Sequence, residues 1–351
     1  MAAGHQTRFI ANNGATWGTL PETNPSTTTT VGMALREMPS MGGAREDSDP
    51  TGAAMEWASV ANKGGISVGE ITIPLKLAFS NNPRMGYLFG GDAVSGSGPY
   101  THILTPSSNP QQRFMGGAFS VPNPDNAGAA TAYVQLDSFA GTGFSIDWNI
   151  GQEVNWDIRV LARQISRQAL TVGNVTYPAN NSIITCAVGD SDCLTIADQG
   201  SAPANFGVIG GTFEWNTPRE GGDHSTTSEY IGLPDRTGTG SGTLTLRVAG
   251  MIAATALSDF ETPTAKNAVL TFPGRTVGGT AMTWECRFPH LVLKSFDPVG
   301  SGSGKTFHEL VYHVFGDADG TADSAADTPA GEPWAIHVDN DESGDYDTAA
   351  A

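Results

Sequence analysis

The chain has 351 residues, room for about two domains with sizeable cores, and its 36 acids against 18 bases give a formal net charge of −18. That balance excludes a basic nucleic-acid footprint, and a charged fraction of only 15% excludes a disordered polyelectrolyte. Three cysteines without a CxxC pair argue against a disulfide framework and a zinc site, and the 44 glycines and 21 prolines favour many short strands and turns.

The first stretch, MAAGHQTRFIANNGATW, lacks the apolar core of a signal peptide, and no run approaches the ~18 apolar residues of a membrane span. The expectation is a product made and folded in a cytoplasm. Residues 1–65 have weak periodicity and a Thr run, and read as an extended N-terminal arm with a first strand. ISVGEITIPLKL then alternates as a strand, with Pro74 marking an edge or bulge. SNNPRMGYLFGG predicts a short helix, with Pro83 near its first turn and glycines closing it. YTHILT, QQRFMGGAFSV and AYVQLDSF read as strands.

FSIDWNIGQEVNWDIRV follows at 144–160. Phe144, Ile146, Trp148 and Ile150 alternate with Ser145, Asp147 and Asn149. After Gly151-Gln152-Glu153, Val154, Trp156, Ile158 and Val160 alternate with Asn155, Asp157 and Arg159. A period of two places each set on one face of a strand, so the segment predicts a long β-hairpin with one apolar and one wet face. Trp148 and Trp156 could stack on a sugar, but facing pairs of this kind belong more often to a sheet core.

Residues 164–205 read as a linker, after which the order of elements starts again. TGSGTLTLRV is an alternating strand, MIAATALSDFET a short helix and NAVLTF a strand. FPHLVLKSF and KTFHELVYHVF form a second long hairpin, and PWAIHV closes the set. Strand, helix, strand, long hairpin occurs twice, the signature of an internal repeat. The expected division is an arm (1–65), a first unit (66–163), the linker (164–205), a second unit (206–338) and an acidic tail (339–351). Between TFEWN and TGSGTLTLRV lies a polar loop at 217–241 carrying Arg219, Glu220, Asp223, Asp235 and Arg236. A loop longer than ~12–15 residues is usually functional or disordered, and this composition suits one that orders against a partner.

Several motifs imitate known chemistry. GSGSGKT lacks the first glycine of a P-loop, which is Val299 here, and its flanks read as antiparallel strands. In HELVYH the two histidines, His308 and His313, are five apart rather than four, so neither helix nor strand brings both to one zinc. DNDESGD matches the start of a calcium loop, but Ala350 stands where the bidentate Glu belongs, so a solvated acidic tail is the simpler reading. No nucleophile–base order and no paired carboxylates emerge, and the sequence predicts neither an enzyme nor a cofactor.

LFGGDAVSGSGPYTHILTPSS at 88–108 resembles the tail tube (major tail) proteins of long-tailed, non-contractile bacteriophages. There a Leu-rich helix ends in Gly, and a variable Gly/Ser stretch leads into a Tyr-Thr-His strand. The hairpin at 144–160 and the order strand, long loop, GTLTLRV, helix, hairpin also resemble that family, over most of residues 60–338. Pro99 departs from the family's usual Gly-Ala-Tyr.

The resemblance implies a mainly β protein of two tandem tube-type antiparallel β-sandwich or barrel domains, each with a short flanking helix. It implies stacked rings, trimeric and pseudo-hexameric, forming the tube through which DNA is ejected. The expected partners are further copies of the chain, the tape-measure protein, and tail terminator and tip proteins, with DNA as transiting cargo and no membrane. The expected location is the virion tail. Asp147, Asn149, Asn155 and Asp157 are then candidates to face the lumen, and the 217–241 loop is a candidate inter-ring contact. The rival readings are another β-rich virion protein, a capsid decoration or adhesin module, and a carbohydrate-binding β-sandwich. The missing signal peptide and carboxylate pair count against the last.

Overall fold

A computed structural model describes residues 8–14, 17–18, 30–47, 63–106, 113–121, 132–169, 178, 182–186, 193–199, 201, 204–223, 228, 230–249, 259–277, 280–296, 307–316 and 331–346. The first half contains β1 (Arg8–Asn13), β2 (Thr30–Met33), β3 (Gly43–Asp47), β4 (Lys63–Val68), β5 (Glu70–Lys76), a 3-10 helix (Asn82–Leu88), β6 (Gly90–Gly96), β7 (Tyr100–Pro106), β8 (Met115–Val121), β9 (Ala132–Asn149) and β10 (Asn155–Ala169). The second half contains β11 (Leu194–Asp198), β12 (Ala204–Asn205), β13 (Gly210–Asn216), β14 (Arg219–Glu220), β15 (Asp235–Arg236), β16 (Ser241–Ala249), β17 (Lys266–Val277), β18 (Thr280–Phe296), β19 (Phe307–Phe315) and β20 (Ala335–Asn340). The protein is mainly β, and its strand pairings are antiparallel.

Sixteen strands belong to one sheet, and two small ribbons, β3–β4 and β14–β15, stand apart from it. β9 organises the sheet. Its 18 residues span about 60 Å at the usual strand rise, and β10 accompanies it for most of that length. On its other side β9 changes neighbour: 132–139 pairs with β8, and 143–149 with β13. Gly141 and Gly143 lie at the change. A Cβ on Gly141 would strike the Phe89 ring at 2.6 Å, and one on Gly143 the Trp215 carbonyl oxygen at 2.6 Å. A register shift between Arg159 and Val160 of β10 sits opposite, where an irregularity lets the ribbon bend.

One order of pairing occurs twice. Across the sheet the first half reads β8-β9-β10-β5, and the second β17-β18-β19-β16. In each set the last strand named is the first along the chain. Each of those strands follows a ribbon, β3–β4 before β5 and β14–β15 before β16. β20 follows β19 along the same side of β18, as the far half of β10 follows its near half along β9. β13 fuses the sets by pairing with β9 on one side and β16 on the other, so they share one sheet. β20 ties them again by pairing with β7.

The structure departs from the sequence reading at three places. Arg8–Asn13, expected in an arm, lies between β8 and β2, and Phe9 stacks on Phe119 at 4.4 Å. Part of the expected linker is strand, because β11 extends the sheet beside β17. The longest pairing of the second half is β17 with β18, which the sequence disguises with Pro273. The helix expected in MIAATALSDFET lies largely outside the described residues, with one helical turn at 259–261.

The alternation at 144–160 is realised as predicted. Phe144, Ile146, Trp148, Val154, Trp156, Ile158 and Val160 are all fully buried, whereas Ile150 at the turn is 41% exposed. Trp148 and Trp156 are core. Phe144 sits at the centre of an aromatic cluster, edge-on to Trp334 at 5.4 Å, Phe213 at 5.5 Å, Phe89 at 5.0 Å and Trp156 at 6.2 Å. Those partners come from both halves. Phe144→Ala should therefore destabilise the whole chain by about 3–5 kcal/mol, with a single urea transition moving to lower denaturant. Unfolding of the first half alone would contradict this coupling.

Candidate functional site

Seven adjacent strands, β18-β19-β16-β13-β9-β10-β5, form a wall that crosses both halves. The register sets their side chains in rows. One row of opposed residues runs Val292, His313, Thr243, Glu214, Ser145, Asp157, Pro74. Another runs Ser295, Val311, Thr245, Thr212, Asp147, Asn155, Lys76. The intervening residues, such as Leu244, Phe213, Ile146 and Trp156, face the core. The wall is thus apolar behind and largely polar in front.

The predicted face residues Asp147, Asn149, Asn155 and Asp157 all lie on this front and are all half-buried. Asp147 accepts from Thr212 Oγ1 at 3.3 Å and from Asn149 Nδ2 at 3.4 Å. Asp157 pairs with Arg36 at 3.3 Å. Burial raises the Asp157 carboxyl above the usual range; Arg36 opposes that rise, and the nearby Asp147 and Glu37 add to it. Arg159 pairs with Glu214 at 3.0 Å and donates to Asn216 Oδ1 at 2.5 Å. Lys76 pairs with Glu153 at 2.7 Å. The front is therefore mixed in charge.

The 217–241 loop folds back on its own chain. Arg219 and Glu220 pair with Arg236 and Asp235. The Tyr230 ring lies 5.0 Å under the Arg163 guanidinium, and the Ile231 carbonyl accepts from Trp17 Nε1 at 3.3 Å. The described residues of this segment are thus pinned to the rest of the chain at Tyr230 and Ile231. Arg219 is buried, and burial together with Arg236 lowers it to about 10. Glu220, Asp223 and Asp235 are exposed, and Arg236 is half-buried.

The acidic C-terminal segment is anchored at Glu342 and Tyr346, while Asp341, Ser343, Gly344 and Asp345 are exposed. After Asn340 the chain crosses the β6–β7 hairpin, and Tyr346 is fully buried. Its ring stacks on His102 at 4.0 Å with an interplanar angle of 3°, and the Arg84 guanidinium lies 5.1 Å from the centre of the same ring. Tyr346 N donates to Asp92 Oδ2 at 2.9 Å, and its hydroxyl accepts from Asn340 Nδ2 at 2.8 Å. Asn13 Nδ2 donates to its carbonyl at 2.6 Å, and Glu342 pairs with Arg84 at 3.2 Å.

His102 is the centre of this clasp and was invisible in sequence as more than a strand residue. Its Nδ1 lies 2.9 Å from Asp92 Oδ2 and its Nε2 lies 2.8 Å from the Glu342 carbonyl oxygen. A carbonyl only accepts, so Nε2 carries a hydrogen, and the Asp92 carboxyl group facing Nδ1 favours the doubly protonated ring. Burial opposes that charge, but the hydrogen bond and charge of Asp92, with the Glu342 carbonyl and carboxylate, outweigh it and raise the pKa above the usual value. Asp92 and His102 are ten residues apart across a hairpin, but Glu342 is 240 away.

Among the motifs, GSGSGKT lies outside the described residues, and the strands flanking it, β18 and β19, are antiparallel as expected. His308 is buried and His313 half-exposed, consistent with opposite faces of β19. Among the described residues no group of three or more His, Cys, Asp or Glu is placed to hold a metal, and no helix is long and apolar enough to cross a membrane. No protein-family model matches the chain, and no curated protein matches it.

The raised His102 pKa fixes a sign. The stability it lends is complete below the unfolded value of about 6.5 and is lost as pH rises through the higher folded value. Hydrogen exchange of residues 341–346 should accelerate, relative to the core strands, as pH rises through that range. His102→Gln should cost about 3 kcal/mol and abolish the differential pH dependence. Equal protection of the segment in the wild type across the range would show that the ring is not charged.

Proposed function

We propose that this chain is a structural protein of a virion, which polymerises as stacked rings into a tail tube and forms the conduit for DNA ejection. The observation that carries the reading is the wall. It extends through both halves, it is sealed by core on one face, and it is polar on the other. At the β18 end, the side of Val292–Phe296 away from β19 has no paired strand among the described residues. At the β5 end the edge is met by a short pairing at Leu35–Leu75, flanked by hydrogen bonds from Arg36 N to the Pro74 carbonyl and from Lys76 N to the Ala34 carbonyl. Unprotected sheet edges are a hazard unless something covers them.

The chain contains a pattern for such a cover. Within one molecule, β13 lies on the outer side of β16 and also takes the free side of β9. The segment at Leu35 lies on the outer side of β5, the strand that occupies the place of β16 in the first half. Repeating the internal joint between chains would seat the free side of β18 against the Leu35 edge of a neighbour. Closure after three chains gives a ring of six similar units, and heterologous contacts between rings give a filament. The exposed Glu220, Asp223 and Asp235, with Arg236, would face the next ring. Tape-measure, terminator and tip proteins would be the other partners, and DNA the cargo passing the polar front.

Electron microscopy of the purified protein at high concentration tests the reading directly. Hollow tubes of stacked rings are expected, three chains to a ring by mass. Discrete particles or a persistent monomer at all concentrations would overturn it. Asp147 makes only long hydrogen bonds, so the fold depends on it little. Asp147→Lys should leave tubes intact but slow DNA ejection, most at low salt, because each added phosphate contact steepens the salt dependence by about one unit of slope. Wild-type ejection rates across a salt series would place this face away from the DNA.

A further inference from the structure

We propose that Cys186 and Cys193 form a reversible dithiol–disulfide pair that, when oxidised, ties the turn of the β9–β10 hairpin to the start of β11 in the second half. Their sulfur atoms lie 3.6 Å apart and both side chains are buried. A disulfide needs about 2 Å between sulfurs, so the thiols stand in van der Waals contact, and a small change in side-chain torsions closes the gap.

The two backbones are held independently and from opposite sides. Cys186 N donates to the Gln152 carbonyl at 3.0 Å, and its own carbonyl accepts from Gly151 N at 2.7 Å, so it is bound to the hairpin turn. Thr185, beside it, bridges to Glu153. The Cys193 carbonyl accepts from Thr271 N of β17 at 2.8 Å, and the next residue, Leu194, pairs with Leu270. The thiols therefore meet because two parts of the sheet present them to each other. Cys286 is an internal reference. It sits on β18, across β17 from β11 in the pairing, and is fully buried, with its thiol pushed well above the usual value by that burial.

The oxidant is a small-molecule disulfide such as oxidised glutathione. One protein thiolate attacks it and releases a glutathione thiolate, and the second displaces the other glutathione from the mixed disulfide. The protein loses two protons and two electrons, and two reduced glutathione molecules leave. The pairing is a property of the isolated chain and does not require tube assembly.

The test incubates the full chain with oxidised glutathione, unfolds it without reductant and counts free thiols, with peptide mapping of the products. One free thiol per chain, on Cys286, and a linked peptide joining Cys186 to Cys193 are expected. Three free thiols, a link through Cys286, or glutathione left on both cysteines would overturn the proposal. Oxidised protein should also melt a few degrees above reduced protein, and the difference should vanish in Cys193→Ser. Identical melting of the oxidised and reduced wild type would show that the bond, even if formed, ties nothing together.

Discussion

The fold depends on β9 being covered on both sides along most of its length by strands from different parts of the chain. β10 takes one side, while β8 and then β13 take the other. β13 in turn brings β16 and the rest of the second half into the same sheet. Because β9 alternates strictly near its end, this continuous pairing also assembles a continuous core. Phe144 meets Phe213 and Trp334 of the second half as closely as it meets Phe89 of the first. Splitting the halves would expose these rings and both edges of the joint at once. The sheet and the core thus enforce the same union.

The C-terminal clasp closes that union at the far side. β20 is paired with β18 of its own half and β7 of the other. The residues after it place a stacked tyrosine and one hydrogen-bond acceptor, the Glu342 carbonyl, around a histidine whose other acceptor is Asp92 of β6. A buried charged histidine is costly unless every ring nitrogen is satisfied. Asp92 and Glu342 meet that need from two distant parts of the chain. The contact reports whether the last segment is in place, since without the Glu342 carbonyl one nitrogen of a buried ring would be stranded.

Much of the sheet was legible in sequence because period two is a local signal. The hairpin at 144–160 and the antiparallel pairing of β18 with β19 both follow from neighbours in the chain. What escaped was set by distant partners. RFIANN has little alternation of its own and becomes a strand because β8 and β2 flank it. NAVLTF reads as a strand on its own, but Pro273 and Gly274 hide its continuation to Val277. The polar composition of 217–241 masks a loop pinned through Tyr230 and Ile231. Cys186 and Cys193, seven positions apart, carried no CxxC signal, and the contact arises from the hairpin turn and the β17 strand that hold them.

Charge was the least legible property of the candidate lumen face, because composition gives a sum and not a distribution. The chain is at −18 overall, yet eleven of its acids follow its last base, Lys305. On the front of the wall Glu70, Asp147, Asp157, Glu214 and Glu309 share the strands with Lys76, Arg159, Arg247 and Lys294. Repulsion of phosphate by a uniformly acidic surface is therefore not how such a face would let DNA pass. Pairing offers another route. Arg159 is engaged by Glu214 and Asn216, Lys76 by Glu153, and Arg36 by Asp157. A cation already neutralised at about 3 Å displaces fewer counterions when a phosphate approaches, and counterion release is what drives non-specific binding to DNA. A wall of matched pairs and hydroxyls would be wet without being sticky, and its low adhesion would come from the arrangement of its charges rather than from their sum.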